Sequence, residues 1–263
     1  LGYIVDNTYL KKIVFKKVLK SNFIKFMGGV NIKDVGDTSV SATIFSNKGN
    51  FSAPLIVGAD GRNSKIRFFA NIKSFFYDYN QAAFVFNISH TLSHHSKALE
   101  RFFPSGPLAL LPMQNNNKKS SSVVWTVDSQ MKEKLLKSKN FYNEFEKKYA
   151  QAFGRITKTS RPAVYNLNVI SCYEFFKKRI VLVGDACQAI HPIAGQGLNL
   201  GLRDSYHLAK IISESLELGL DIGSPFVLKD YTNKRLVDKK LLIQATHRLN
   251  QLFSNNSIVI KAI

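Results

Sequence analysis

The residues of this sequence whose types and spacing suit ligand binding or catalysis lie in two glycine-rich turns. The first runs from Gly58 through Asp60 and Gly61 to Arg67 and joins an apolar strand-like run to a helical pattern. Glycine lets a backbone approach a bulky ligand, a helix N-terminus offers free N–H groups to phosphate, and Arg67 could pair with that phosphate. The alternative is an ordinary strand–helix turn in which Asp60 or Asn63 caps the helix.

The second turn is longer and gives the stronger signal. Gly184 and Asp185 end a buried apolar run, and the sequence Gly195-Gln196-Gly197 stands just before a long helical pattern. Open α/β sheets bind ligands beyond the carboxyl ends of their strands, where Asp185 could accept hydrogen bonds from ligand hydroxyls. Two glycines before a helix make a cradle of N–H groups at the positive end of the helix dipole. This turn therefore predicts a site for an anionic or electron-rich ligand edge.

The elements that must position these turns alternate in character along the chain. Short apolar runs at 53–58 and 179–185 predict strands buried on both faces, as in a parallel sheet. Several strand-like runs in succession predict an inserted antiparallel sheet. Helices are predicted over 9–27 (with one buried face, ended by Gly28-Gly29), 63–70, 129–153 (with a break near Lys139), 198–217 and 225–253, and further strands over 39–46, 81–89, 97–104, 106–113, 121–128 and 163–169.

Composition narrows the class of protein. The chain has 263 residues, of which 45% are hydrophobic and 21% charged, as in ordinary globular domains. No apolar run approaches the roughly 20 residues of a membrane-spanning helix. The first residue is Leu1 rather than Met, which predicts a fragment or a processed product.

The net charge of +19 permits two interpretations. It could attract nucleic acid or an anionic membrane surface, or it could reflect a lysine-rich composition spread along the chain. The clearest lysine cluster lies on the helical pattern between residues 11 and 25, and it lacks the arginine-rich, aromatic-interleaved character of a nucleic-acid surface. We therefore predict no nucleic-acid partner and leave membrane contact open.

The two cysteines, Cys172 and Cys187, do not form a disulfide framework, and no zinc-type spacing occurs. We predict that both are small buried side chains in a protein of a reducing compartment, and we predict no metal site.

Both turns, in this order, resemble those of the FAD-dependent aromatic hydroxylases. The stretch His191-Pro192-Ile193-Ala194-Gly195-Gln196-Gly197-Leu198-Asn199-Leu200-Gly201-Leu202-Arg203-Asp204 is similar to the 2-polyprenylphenol and 2-polyprenyl-6-methoxyphenol hydroxylases of ubiquinone biosynthesis. Further stretches that match that family's pattern lie at 1–7, 103–112, 123–125, 221–225 and 249–255.

The resemblance implies an α/β fold (α+β overall). It consists of an FAD/NAD(P)-binding Rossmann-like domain, incomplete at its N-terminus, with an inserted, mainly antiparallel substrate domain. The implied domains are residues 1–74 (first part of the FAD-binding domain), 75–166 (substrate domain) and 167–263 (second part plus C-terminal helices). The family's opening G-x-G-x-x-G segment, which binds the ADP moiety, does not occur in this sequence, and its loss would expose neighbouring strands and weaken folding.

The resemblance also implies roles for single residues. Asp60 and Gly61 would lie near the flavin pyrophosphate and the path of the nicotinamide cofactor, and Asp185 would hold the ribityl chain. The segment from Pro192 to Asn199 would pass the flavin ring, with the helix N-terminus facing its pyrimidine edge. The implied cofactor-binding set is Gly58, Asp60, Gly61, Arg67, Gly184, Asp185, Pro192, Gly195, Gln196, Gly197, Leu198 and Asn199.

No side chain is a certain catalyst. His191 and Pro192 are expected near the flavin, although His191 could equally be a structural histidine that orders its loop. Trp125, Phe84 and Leu110 are the candidate substrate contacts, with ordinary core packing as the alternative for the two aromatic residues. The family usually has a histidine where this sequence has Gln188, which can hydrogen-bond but cannot titrate.

The implied activity is hydroxylation of the ring of a polyprenylated phenol, with FAD as cofactor and NAD(P)H and O2 as co-substrates. The substrate predicts a cytoplasmic protein held peripherally at the inner or plasma membrane, with a ubiquinone-biosynthesis protein complex as a further partner. The rival hypothesis is a non-catalytic truncated remnant or a binding subunit of the same assembly.

Overall fold

A computed structural model describes residues 3–114, 118–191 and 195–253. The helices are α1 (Asn7–Lys20), α2 (Lys65–Phe69), α3 (Ser129–Lys137), α4 (Phe141–Tyr149), α5 (Gly197–Glu217) and α6 (Pro225–Phe253). The strands are β1 (Ile32–Asp37), β2 (Ala42–Ser46), β3 (Gly49–Ala53), β4 (Ile56–Gly58), β5 (Ser74–His90), β6 (Leu99–Phe103), β7 (Gly106–Pro112), β8 (Ser120–Asp128), β9 (Ile156–Thr159), β10 (Ala163–Cys172), β11 (Phe176–Lys177), β12 (Ile180–Leu182) and β13 (Gln188–Ala189). This mixture of helix and strand confirms the predicted α/β class.

The described residues divide into two compact units. The α/β unit comprises residues 28–79 and 168–250, and the antiparallel unit comprises 1–27, 80–167 and 251–263, as far as those residues are described. The chain passes from one unit to the other after residue 27, within β5, within β10 and within α6. The predicted domains 1–74, 75–166 and 167–263 stay a prediction, because compactness alone does not establish which segments fold independently.

The α/β unit is built around a parallel strand pair. β12 pairs with β4 in parallel, with Ile180 opposite Ile56 and Leu182 opposite Gly58. All three residues of β12 are buried, as predicted, but Val57 in β4 is 43% exposed. The prediction that β4 is buried on both faces is therefore wrong for Val57, since β12 is the only described strand that pairs with β4.

A hydrophobic core joins this strand pair to the helices that cover it. Side chains of α5 and α6, among them Leu208, Ile211 and Leu228, are buried in the same cluster as β12. The 21 residues of α5 and the 29 of α6 match the predicted helices closely, because apolar residues recur at helical spacing along both. The strands β1, β2 and β3 form a separate antiparallel meander in the same unit.

The antiparallel unit contains the predicted succession of strands. Its described strand order is β5-β8-β7-β6, with β9 on the other side of β5. The predicted break near Lys139 is confirmed, because α3 ends at Lys137 and Asn140 precedes α4. Phe141 and Phe145 of α4 are buried in an aromatic core against β8.

The first helix differs from its prediction in two ways. α1 ends at Lys20, because Ser21 adopts an extended conformation, so the prediction that it continues to residue 27 is wrong. No residue of α1 is buried, so the predicted buried face is also wrong: the apolar side chains of Ile13, Phe15 and Leu19 are exposed in the described structure. No helix among the described residues combines the length and apolar character needed to cross a membrane.

Candidate cofactor site

The parallel pairing of β4 and β12 places both glycine-rich turns at one edge of the sheet. Gly58 and Leu182 end the two strands opposite one another, and the Val183 N–H donates to the Gly58 carbonyl at 3.0 Å. Parallel strands point their carboxyl ends in the same direction. The residues that follow each strand, 59–64 and 183–191, therefore leave the sheet side by side.

The glycines of the first turn serve different needs. A Cβ added at Gly58 would stand 2.6 Å from a methyl group of Leu182 and 2.8 Å from one of Ile66, so this glycine permits close packing of α2 on the strands. Gly61 has φ +82°, which favours glycine, and an added Cβ would meet open space. Open space beside Gly61 is available to a ligand, whereas the space beside Gly58 is already filled by the chain.

The N-terminus of α2 is capped by the chain itself. The Asp60 carboxylate accepts hydrogen bonds from the backbone N–H groups of Lys65 (2.7 Å) and Ile66 (3.1 Å), and the Ser64 hydroxyl accepts from that of Arg67 (2.9 Å). The helix end is thus capped by the chain, but its N-cap residue is Ser64, so the alternative that Asp60 or Asn63 is the N-cap is wrong in its residue. Asp60 supports this cap from within the turn. A role of Asp60 beside the flavin pyrophosphate stays a prediction, since the N–H groups that would bind phosphate already have partners.

Arg67 ties the two turns together. Its guanidinium donates to the Ala186 carbonyl at 2.7 Å and to the Arg62 carbonyl at 2.8 Å. Two of its N–H groups are therefore used inside the protein, and the side chain fixes the position of the second turn relative to the first. Pairing with a phosphate through its remaining donors stays a prediction.

Arg62 is a site residue that the sequence pattern did not single out. One of its terminal nitrogens donates to the Asn168 side-chain oxygen at 2.8 Å and to the Asn168 carbonyl at 3.2 Å. Its positive charge also acts on Asp185 and His191, in both cases lowering the pKa. Its position inside the first motif was its only sequence signal, because Asn168 lies on β10, more than 100 residues further along the chain.

Asp185 stands half-buried at the start of the second turn. Burial raises the pKa of its carboxyl group, and the positive charge of Arg62 opposes that rise. Burial of a carboxylate is costly unless a cation or a hydrogen-bond donor compensates it. A ligand hydroxyl donated to Asp185 would supply such compensation, which is chemistry suited to the ribityl chain of a flavin.

His191 is almost fully enclosed, with 1% of its surface exposed. Its ring lies edge-on to the ring of Tyr79, with centroids 4.9 Å apart. Burial, followed by the charge of Arg62, lowers the pKa of His191 to about 4, so the ring is neutral at neutral pH. These contacts favour the structural interpretation of His191, while a role beside the flavin stays a prediction. Pro192 lies outside the described residues.

The N-terminus of α5 contrasts with that of α2. Gln196 occupies the capping position but gives no side-chain cap, and its side-chain oxygen accepts from the Asn199 amide at 3.1 Å instead. Among the described residues no side chain caps this helix. A Cβ added at Gly195 or Gly197 would meet nothing within 4 Å, and Leu198 and Asn199 are exposed. An open, uncapped N-terminus of a long helix can accept the negative edge of a ligand.

These features fit FAD as a ligand. A hydroxyl acceptor (Asp185), a positive helix end and glycines with open space are the groups that a ribityl chain and an electron-rich ring edge require. The fit rests on the second turn more than on the first, because the first turn's helix end is occupied by Asp60.

A buried ionic cluster of Asp204, Arg235 and Lys239 supports the second turn, and the sequence analysis did not predict it. Asp204 in α5 is fully buried and accepts from the Gly184 N–H at 3.0 Å. It also pairs with Arg235 at 2.8 Å and with Lys239 at 3.2 Å, both from α6 and both nearly fully buried. Gly184 itself has φ +58° and lies against Gly201 of α5. Asp204 therefore fixes the turn and its two covering helices together.

Gln188, at the position where the family usually has histidine, is 3% exposed and lies in β13 opposite Ser171. Within the described part of the chain its side-chain nitrogen has no hydrogen-bond partner. The side chain is thus enclosed beside the turn and cannot carry a titrating proton.

The three candidate substrate residues all lie in the core of the antiparallel unit. Phe84, Trp125 and Leu110 are 1%, 2% and 5% exposed. The Phe84 ring packs against Phe141 and the Trp125 ring against Phe145, with centroids 5.2 and 5.4 Å apart. These contacts favour the core alternative, and contact of any of the three with substrate stays a prediction.

Comparison with known proteins places these features in a family. Ubiquinone hydroxylase UbiL of Rhodospirillum rubrum is 35% identical over 97% of this chain and 60% of its own length. The human mitochondrial ubiquinone biosynthesis monooxygenase COQ6 is 28% identical over 98% of this chain and 64% of its own length. The chain thus spans less than two thirds of these relatives.

Solved structures agree on the fold. p-Nitrophenol 4-monooxygenase PnpA of Pseudomonas putida superposes with a TM-score of 0.79 over 98% of this chain and 66% of that one, at 17% identity. PqsL of Pseudomonas aeruginosa gives 0.80 over 94% and 70%, at 19% identity. A family model described as an FAD binding domain matches residues 27–246. Because that match covers most of the sequence, this chain belongs to the FAD binding domain family.

Proposed function

We propose that this chain is the greater part of an FAD-dependent monooxygenase that hydroxylates the ring of a polyprenylated phenol in ubiquinone biosynthesis. Family membership supports the cofactor, and the names of the relatives from Rhodospirillum rubrum and human support the reaction and the pathway. The observation that carries the proposal is that no described side chain caps the N-terminus of α5, the helix that packs on the turn of the half-buried Asp185.

FAD, when bound, would supply the redox chemistry, taking electrons from NAD(P)H and passing one oxygen atom of O2 to the phenol ring. The protein contributes binding, orientation and electrostatics. Asp185 accepts hydrogen bonds from ligand hydroxyls, and Arg62 favours its ionised form. The α5 N-terminus stabilises negative charge at the ring edge placed against it.

Two further residues shape the surroundings of this site without an assigned chemical step. His191, neutral at neutral pH, adds no positive charge to that of Arg62. Arg67 holds the two turns in register through its bonds to Ala186 and Arg62. The cofactor-binding set named from the sequence belongs to this proposal, except Asp60, whose carboxylate already binds the N-terminus of α2.

Peripheral contact with the membrane that dissolves the substrate is part of the same proposal. Its support is α1, where Lys12 and Lys16 are exposed along with the apolar Phe15 and Leu19. A basic helix with exposed apolar side chains binds best to anionic lipid surfaces. Sedimentation with anionic and with neutral vesicles tests this part: equal binding to both would contradict a lysine-driven contact.

The deciding experiment is an FAD titration followed by flavin fluorescence. It is run on the 263-residue chain and on a form extended by the family's N-terminal segment. We expect the extended form to bind FAD tightly, to oxidise NAD(P)H and to add one oxygen atom to a prenylated phenol, detected by mass spectrometry.

Binding by the 263-residue chain would show that the second turn suffices to hold the flavin. Failure of the extended form to bind FAD would overturn the proposal. FAD binding without any hydroxylated product would favour the rival hypothesis of a non-catalytic binding subunit.

A further inference from the structure

The two cysteines of the α/β unit lie directly opposite one another. Cys172 ends β10, and Cys187 immediately precedes β13, whose Gln188 pairs with Ser171 in antiparallel register. The Cys172 N–H donates to the Cys187 carbonyl at 3.0 Å, which continues that register by one position. Directly opposed residues of antiparallel strands have Cα atoms about 4.5–5.5 Å apart. This separation falls within the range of about 4.4–6.8 Å that a disulfide requires.

The two thiol groups are enclosed together. Cys187 is fully buried and Cys172 is 5% exposed. Each side chain perturbs the pKa of the other, and the Cys172 thiol donates to the Ala186 carbonyl oxygen at 3.9 Å. They are therefore buried in the same core cluster and shielded from large reagents.

A buried cation makes the two sulfurs unequal. The Lys239 ammonium lies 4.0 Å from the centre of the Phe175 ring and pairs with Asp204, and its positive charge acts on Cys187. The interaction with the Cys172 side chain, helped by the charge of Lys239, lowers the pKa of the Cys187 thiol against the effect of burial. The same interaction and burial raise the pKa of Cys172. The thiolate is the reactive form of cysteine, so Cys187 is the more nucleophilic of the pair.

We propose that Cys172 and Cys187 form an oxidisable dithiol site, which hydrogen peroxide closes to an intrachain disulfide. The Cys187 thiolate attacks one peroxide oxygen, the O–O bond breaks, and the departing hydroxide takes a proton to become water. The resulting sulfenic acid on Cys187 is displaced by Cys172, which forms the S–S bond and releases a second water. Two thiols lose two electrons in total, and one peroxide is reduced to two waters.

The position of this site gives its closure a structural consequence. Cys187 follows the turn that carries Gly184 and Asp185, and Cys172 belongs to the strand that carries Asn168, the partner of Arg62. A covalent bond between them would join the strand to the turn. The proposal concerns the two sulfurs alone and does not depend on FAD binding or on hydroxylation.

The test exposes the folded 263-residue chain to hydrogen peroxide, removes the peroxide with catalase, and then unfolds the chain in the presence of iodoacetamide. We expect untreated protein to be alkylated at both cysteines and treated protein at neither. Peptide mapping without reductant should then recover the peptides of Cys172 and Cys187 linked, lighter by two hydrogen atoms. Counting alkylated cysteines separates this result from methionine oxidation, which changes only the mass.

Single variants provide the matched controls. Cys172→Ser should leave the Cys187 sulfenic acid without a partner, so that dimedone traps it when the chain is unfolded, whereas Cys187→Ser should leave Cys172 largely alkylatable. Lys239→Met should slow closure severalfold, since it removes the cation beside Cys187. If that variant does not fold, the comparison of the unsubstituted chain with Cys172→Ser still decides the matter.

Three results would overturn the proposal. Both cysteines could remain alkylatable after peroxide that fully oxidises the exposed Met27. The disulfide could form only between chains, as seen on a non-reducing gel. Cys172→Ser could also leave the oxidation product of Cys187 unchanged from that in the unsubstituted chain.

Discussion

The two glycine-rich turns begin alike and end differently. Each follows a strand of the parallel pair, contains a glycine and an aspartate, and leads into a helix. In the first turn Asp60 folds back on the helix that follows and occupies its N-terminal N–H groups. In the second turn Asp185 remains half-buried near Arg62, and α5 begins with no cap from any described side chain. In the first turn the chain's own carboxylate binds the N–H groups of the helix end. In the second turn the helix N–H groups and the Asp185 carboxylate are left for a ligand to bind.

The difference shows that a helix N-terminus after a Gly-Asp turn is not by itself an anion site. A helix end carries only about half an elementary positive charge. It therefore attracts an anionic ligand only where no carboxylate of the chain already binds its N–H groups. In α2 the acid is close enough along the chain to reach the helix. In α5 a longer segment separates Asp185 from Gly197.

The largest expected effect is a loss of stability when the buried ionic cluster that supports the second turn is broken. Asp204→Ala removes the carboxylate that binds the Gly184 N–H and leaves Arg235 and Lys239 buried with one partner fewer, which should cost about 3–5 kcal/mol of unfolding free energy. Urea denaturation measures it. The matched control, Asp230→Asn, breaks an exposed pair with Lys234 and should cost at most about 1 kcal/mol. Equal effects of the two variants would contradict a supporting role for the buried cluster.

The pH dependence of stability tests the enclosure of His191. Its pKa of about 4 in the folded protein lies below its ordinary value of 6.5, so the unfolded chain binds the proton more tightly. Its contribution is therefore fully present above pH 6.5 and is lost as pH falls toward 4, by at most about 3 kcal/mol. His191→Gln should flatten the stability curve in this window. If the variant's stability fell with pH as steeply as that of the unsubstituted chain, the pKa of His191 would not be lowered by folding.

Two glycine substitutions in the first turn compare the stability cost of a methyl group at a packed position with its cost at an open one. Gly58→Ala places a methyl group against Leu182 and Ile66 and should cost about 1–3 kcal/mol. Gly61→Ala meets open space and should cost only the strain of its positive φ, about 1 kcal/mol. Thermal unfolding compares the two. A larger loss for Gly61→Ala would mean that this glycine is also packed.

The smallest effects bear most directly on the comparison of the turns. In a form that binds FAD, Asp185→Ala should weaken FAD affinity about tenfold, which corresponds to one lost hydrogen bond of about 1.4 kcal/mol. Asp60→Ala should leave FAD affinity unchanged and lower stability by about 1 kcal/mol, since it removes a helix cap. Fluorescence titration and urea denaturation are measured on both variants. Weakened FAD binding by Asp60→Ala would restore the pyrophosphate role that the resemblance implies.

Much of the fold followed from periodicity. α5 and α6 were predicted within one residue, and the break between α3 and α4 was found, because long patterns of apolar spacing specify helices strongly. α1 was predicted too long and wrongly buried, since periodicity shows that a face is apolar and cannot show what covers it. Val57 was misjudged for the same reason.

The candidate site was only partly visible in the sequence. Asp185 and the Gly195–Gly197 turn stood out through glycine spacing. Arg62 and Asp204 did not, because their partners Asn168 and Arg235 are distant along the chain and no local pattern marks such pairs.

The sequence by itself determined the α/β class, the two turns and the family resemblance. These depend on the local spacing of apolar residues and on the glycines and aspartates in the turns, which can be read directly from the sequence. Only the tertiary structure decided which turn keeps an open helix end, which arginine faces Asp185, and that the two cysteines meet. Those outcomes depend on parallel and antiparallel strand pairing, which brings together residues far apart in the chain and fixes their distances to within a few ångströms.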